Sequence, residues 1–178
     1  MRNVTKFAAF VLLAAGIAMA QAANQKAPLS PPGQASFSFD DQKKVTIDYS
    51  RPSARGRKVM GELVPYGKVW RTGANSATTL TTDTNLTIGG ASVPSGQYTL
   101  YTLPSENGWK LIINKQTKQW GTEYHQEQDL ARVDMQVGKT KAPVEQFTIS
   151  FQRTGGDSAK LILEWENTSA SVDVREQK

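Results

Sequence analysis

The 178-residue chain contains no cysteine and a single histidine, His125. The first absence removes disulfides, thiolate metal sites and a cysteine nucleophile together, so stability must come from the core. The second removes any three-histidine metal centre and leaves one imidazole to act as a base. No serine stands in a G-x-S-x-G setting, and Ser53 in the R-P-S-A-R run has no oriented base in view. Beyond the N-terminus no stretch carries a sustained helical period, which also removes an amphipathic basic helix for membrane binding. Residues 117–131, TKQWGTEYHQEQDLA, have room for one short helical turn. No internal repeat is present.

What the chain does have begins at its N-terminus. Arg2 and Lys6 precede an apolar run from Phe7 to Ala18, followed by small residues with Ala20, Ala22 and Ala23 as cleavage points. Residues 1–22 are therefore read as a secretory signal peptide. The run is shorter than the ~20 residues a helix needs to cross a bilayer, so removal is expected rather than anchoring. Residues 23–35, rich in Pro, Ala and Gln, read as a flexible tether, and residues 36–178 as one domain. The expected product is an exported, soluble protein, periplasmic or extracellular, with no membrane insertion after cleavage.

From Ser36 onward the pattern is short alternation broken by turn residues. Val45, Ile47 and Tyr49 share one face of a strand; so do Phe147, Ile149 and Phe151, then Leu161, Leu163 and Trp165, then Ala170, Val172 and Val174. The Gly89-Gly90 pair supplies positive φ for a tight hairpin. Residues 94–104 alternate with apolar groups on both faces, as in a central strand. Strand spacing of this kind predicts an all-β fold, a single antiparallel β-sandwich of jelly-roll-like form.

The formal charge of +5 is unevenly spread. Between residues 51 and 71 stand Arg51, Arg55, Arg57, Lys58, Lys68 and Arg71 against Glu62 alone. Guanidinium forks match carboxylate or phosphate bidentately and stack on flat faces. Trp70 adds an apolar platform, and Asn75 an amide that donates and accepts. Arg51, Arg55, Arg57, Trp70, Arg71 and Asn75 are thus the candidate ligand-binding residues. The competing reading makes Trp70 a core or rim residue and pairs Arg71 with Asp129 or Glu62. A second cluster, Glu123, His125, Glu127 and Asp129, would project to one side of an extended strand, yet an acidic, Gln-rich turn reads first as solvated surface. No metal and no cofactor is expected. No row of aromatics forms a nucleic-acid track.

The motifs S-R-P-x-x-R-G-R at 50–57, P-Y-G-x-x-W-R-x-G-A-N at 65–75, P-S-G-x-Y-x-L-Y-x-L-P at 94–104 and W-x-x-I-x-N at 109–114 occur in order. Q-W-G at 119–121, D-L-A-R-V at 129–133 and W-E-N-T at 165–168 follow. With these the chain resembles the domain-of-unknown-function family 2911 over about residues 36–174. The resemblance implies an exported, β-rich bacterial protein without an assigned activity. Ser76 stands where family members often carry an acidic residue, so no carboxylate is available there.

The leading functional reading is a non-catalytic binding module for a polar or anionic ligand such as an envelope glycan. Second is a hydrolase using paired carboxylates drawn from Glu62, Asp83, Glu164 or Glu166. Third is a structural or interaction protein of the cell envelope, its arginines tied into internal salt bridges.

Overall fold

The computed structural model describes residues 29–178. Residues 1–22, read as a signal peptide, and most of the stretch read as a tether lie outside the described residues. Among the described residues nine strands follow in chain order: β1 (Pro32–Ser38), β2 (Lys44–Ser50), β3 (Thr79–Thr82), β4 (Leu86–Ile88), β5 (Ala91–Val93), β6 (Gly96–Ser105), β7 (Gly108–Asn114), β8 (Asp129–Gly155) and β9 (Ser158–Glu176). A 3-10 turn, Gln126–Gln128, is the helical turn that residues 117–131 had room for.

All strand pairs are antiparallel, in the spatial order β1-β2-β3-β6-β7-β8-β9-β4-β5. The all-β class expected from the alternation is met. The order is one continuous run, because β8 belongs to both of its halves: Asp129 to Met135 pair with β7, and Gln136 onward pair with β9. The strand marked by Phe147, Ile149 and Phe151 is the later part of one long strand, which has register shifts after Lys139, Val144 and Arg153. β1 begins at Pro32, inside the stretch read as tether. Its register with β2, Pro32 opposite Ser50, and the Arg51 amide donating to the Pro31 carbonyl draw these residues into the sheet.

Alternation sets what is buried. Val45, Ile47 and Tyr49 of β2, Leu80 of β3, Leu100 of β6, and Leu111 and Ile113 of β7 turn to one core. Against them come Phe147 and Ile149 of β8 with Leu161, Leu163 and Trp165 of β9. Full burial of one such side chain is worth about 1.5–3 kcal/mol. The two ends of the core are joined across the fold: the Tyr49 and Phe147 rings meet edge to face at 5.7 Å, and the Ile149 amide donates to the Tyr49 hydroxyl at 2.9 Å. β6 is internal and buried on both faces, as its sequence pattern indicated. Its second face is covered by residues 115–124, where Gln119 Nε2 donates to Thr99 Oγ1 and the Tyr101 hydroxyl at 3.2 and 3.1 Å.

The Gly89-Gly90 turn has φ of 55° and 89°, the left-handed pair of a type I′ hairpin. A Cβ at Gly89 would sit 2.8 Å from Val133 Cβ and 2.9 Å from Val172 Cγ2, whereas nothing lies within 4 Å of one at Gly90. Gly90→Ala should therefore cost about 1–2 kcal/mol, the left-handed penalty alone. Gly89→Ala should cost that and about 1–3 kcal/mol more from overpacking. Urea unfolding of the two variants measures the gap; equal losses would show that the valines yield freely.

Candidate functional site

Residues 51–75 are held at both ends by strands from different halves of the sheet. At one end the Ala54 amide donates to the Glu145 carbonyl and the Phe147 amide to the Pro52 carbonyl, fastening the segment to β8. At the other, Gly67 and Trp70 donate to Pro104 and Thr102 of β6, continuing the β6 edge where β3 stops. The chain then turns sharply. Thr72 has φ of 54°, Gly73 154° and Asn75 60°. Thr72 is a fully buried β-branched residue in the left-handed region, a conformation that persists only when its surroundings enforce it. Here the enforcement is visible: Thr78 Oγ1 donates to the Thr72 carbonyl at 2.8 Å, and Thr72 Oγ1 bonds Thr102 Oγ1 at 3.2 Å.

Two of the sequence motifs dock on each other at this turn. The Gly121 amide donates to the Asn75 carbonyl at 3.0 Å, and a Cβ at Gly121 would stand 2.6 Å from that oxygen and 2.7 Å from Arg71 Cδ. The glycine of Q-W-G is thus required by the close passage of W-R-T-G-A-N.

Between these segments and β9 opens a cleft of about 510 Å³, within the size range of small-molecule sites. Four of the six candidate residues line it: Arg57, Trp70, Arg71 and Asn75. Arg51 and Arg55 do not. Arg51 is drawn under β8, donating from Nε to the Phe147 carbonyl at 3.2 Å and from Nη2 to Thr148 Oγ1 at 3.0 Å. Arg55 Nη2 reaches the Leu29 carbonyl at 3.3 Å. The cleft also takes in residues that periodicity assigned to the core or to a loop, namely Tyr101, Tyr124, Trp165, Leu63 and Thr122.

The expected ion pairs of Arg71 are not formed. Arg71 Nε donates to the Gly73 carbonyl at 3.3 Å; Glu62 stands 3.7 Å from Lys58, and Asp129 pairs with Arg132 at 2.8 Å. Arg57 donates from Nε to Ala54 and from Nη2 to Ser53, both carbonyls at 2.9 Å. Among the described residues, none of the guanidinium groups of Arg51, Arg55, Arg57 and Arg71 is paired with a carboxylate, although the Arg55 backbone amide donates to Glu145 Oε1 at 2.8 Å. None of the residues that line the cleft is acidic.

Trp70 answers to both readings made of it. It is half-buried, stacks on Trp165 at 5.7 Å and meets Phe147 edge to face at 5.0 Å, so it is core on one side and cleft wall on the other.

The acidic cluster does not lie on an extended strand, since the 3-10 turn interrupts it. His125 Nδ1 contacts Glu127 Oε1 at 3.1 Å at the surface, while Asp129 turns inward and accepts from Asn114 Nδ2, the Tyr124 hydroxyl and Arg132 Nε at 2.7–2.8 Å. Among the described residues no set of three His, Cys, Asp or Glu is grouped to hold a metal ion. Glu166 is likewise used internally, its Oε2 accepting from the Val59 amide at 3.0 Å.

An antiparallel all-β protein with an arginine- and aromatic-lined cleft is the class that fold and geometry define. Within that class, the chain belongs to the family described as Protein of unknown function (DUF2911), whose model matches residues 30–174. No curated protein and no solved structure matches it. Among the described residues no helix is long and apolar enough to cross a membrane.

The Tyr124 hydroxyl is pushed up to about 12 from its usual 10.0, first by burial, then by its hydrogen bond to Asp129 and the charge on that carboxylate. A folded-state pKa above the unfolded one stabilises the fold below about pH 10 and loses that contribution as pH rises towards 12. In an ultraviolet titration, Tyr124→Phe should remove a late-titrating tyrosine, and Asp129→Asn should bring it earlier. An unchanged titration in both would refute the assignment.

Proposed function

We propose that this protein is a non-catalytic binding module whose cleft takes an anionic ligand. One observation carries the reading: the cleft presents Arg57 and Arg71 beside aromatic walls and contains no carboxylate to neutralise them. A guanidinium away from carboxylates gains most from an oxyanion, through short charge-assisted bonds. Arg51 and Arg55 are supports of the segment rather than contacts. The hydrolase reading has nothing to rest on here, because acid-base work on a glycosidic bond needs two carboxylates across the cleft and its lining has none. The N-terminal sequence supports an exported location, where such a ligand would be an acidic component of the envelope or of its surroundings.

The test is a thermal-shift panel of phosphate, glucuronate and other small acids on the purified protein. A ligand at a hundred times its Kd should add about 2.7 kcal/mol, roughly 5–10 degrees in Tm for a domain of this size. Arg71→Gln keeps the Cβ and Cγ methylenes, sets its planar amide carbon where Cδ stands beside Gly121, and should abolish the shift without lowering the ligand-free Tm appreciably. If no acid stabilises the wild type, a structural role in the envelope takes its place.

A further inference from the structure

The cleft's polar and apolar groups are unequally available to a ligand. Three of its four aromatic residues have their polar atoms committed within the fold. The Tyr101 hydroxyl donates to the Glu123 carbonyl at 2.7 Å and accepts from Gln119. The Tyr124 hydroxyl donates to Asp129 at 2.7 Å and accepts from Arg132 Nη2 at 2.5 Å. Trp165 Nε1 donates to the Glu145 carbonyl at 3.2 Å. Tyr101 and Trp165 are also buried, so the ring surface open to a ligand is that of Tyr124 and Trp70, and Tyr124 offers little beyond its apolar face. Leu29 and Leu63, both exposed, extend that apolar surface along the rim.

Donors are in the opposite condition. The internal bonds of Arg71 use Nε alone and leave both Nη groups without a protein acceptor among the described residues; those of Arg57 leave Nη1. Gly73 and Ala74 are buried in the lining, and their N–H groups also donate to no protein acceptor among the described residues. Unpaired buried amides are rare in folded proteins. Side-chain acceptors are few: the Asn75 amide and the hydroxyls of Ser30 and Thr122.

A neutral sugar brings several hydroxyls, each of which donates as well as accepts, and so needs acceptors around it. A carboxylate or phosphate only accepts, and an apolar body needs none. Resting on the anion-binding reading above, we infer that the ligand is a small acid, an oxyanion carried on a flat or apolar body, rather than a polyhydroxylated glycan. The oxyanion meets Arg71, Arg57 and the Gly73–Ala74 amides, and the body lies against Trp70 and Tyr124, the cleft aromatics that are only half-buried.

Isothermal titration of the purified protein with 2-naphthoate, 2-naphthyl phosphate, neutral 2-naphthamide, glucuronate and glucose tests this. Naphthoate or naphthyl phosphate should bind at least about ten-fold tighter than both naphthamide and glucuronate, because one charge-assisted bond or one apolar ring is worth that factor. The tighter of the two acids identifies the oxyanion. Arg71→Gln should weaken it about ten-fold or more, with Arg71→Lys intermediate, since lysine keeps the charge and loses the fork. Glucuronate binding as tightly as the naphthyl acids would overturn the apolar-body inference and leave the anion reading standing. Naphthamide equal to naphthoate, or no binding by any acid, would overturn both. Naphthoate binding unaffected in Arg71→Gln and Arg57→Gln would put the site elsewhere and overturn this inference.

Discussion

The pairing of β8 with two different neighbours is the constraint on which the rest of the molecule depends. Its first seven residues extend the run β1-β2-β3-β6-β7, and its remainder forms the long ladder with β9. A backbone shared in this way cannot shift in one half without breaking register in the other, because a one-residue slip turns every side chain to the wrong face. Phe147 and Ile149 reach the core only through that register, and there they meet Tyr49 of β2. The strands earliest in the chain are thus packed against one of the last.

The cleft inherits its shape from the same arrangement. Residues 51–75 are tied to β8 through Ala54 and to β6 through Gly67 and Trp70, so the segment bridges two rigid ladders instead of hanging from one. Functional loops held this way lose little entropy on binding, since their geometry is set by the scaffold. The strained Thr72 and the tight contact of Gly121 with Asn75 and Arg71 are local costs of the turn, and surrounding hydrogen bonds offset them. The consequence for the cleft is a sorting of polarity. Aromatic hydroxyls and the Trp165 indole N–H are satisfied inward, and guanidinium nitrogens remain turned to the space between segments.

Much of the fold was legible in the sequence because alternation is a local property. Val45, Ile47 and Tyr49, or Leu161, Leu163 and Trp165, declare a buried face by spacing alone, and Gly89-Gly90 declares its turn. The length of β8 was not legible. Alternation is clear at Phe147, Ile149 and Phe151 but not over residues 138–144, where the ladder with β9 continues by register shifts. The start of β1 at Pro32 was hidden in the same way, since Pro-rich composition reads as tether until a partner strand is present.

For the site, composition was enough to single out residues 51–75 as the carrier of the chain's positive excess, and Arg57, Trp70, Arg71 and Asn75 do line one cleft. Which guanidinium groups are spent on the fold is another matter: Arg51 and Arg71 are chemically identical, and only the passage of β8 over Arg51 consumes one and spares the other. Tyr101, Tyr124 and Trp165 entered the cleft from strands and turns whose local pattern speaks only of burial. Strand faces, the Gly89-Gly90 turn and a concentration of arginine were readable along the chain, because each depends on neighbours a few residues away. Which polar atoms are satisfied internally and which are left to the cleft followed from the tertiary fold, because the partners of Arg51, 96 and 97 residues along the chain, and of Trp165, 20 residues back, are brought near by the packing of the sheet and not by spacing along the chain.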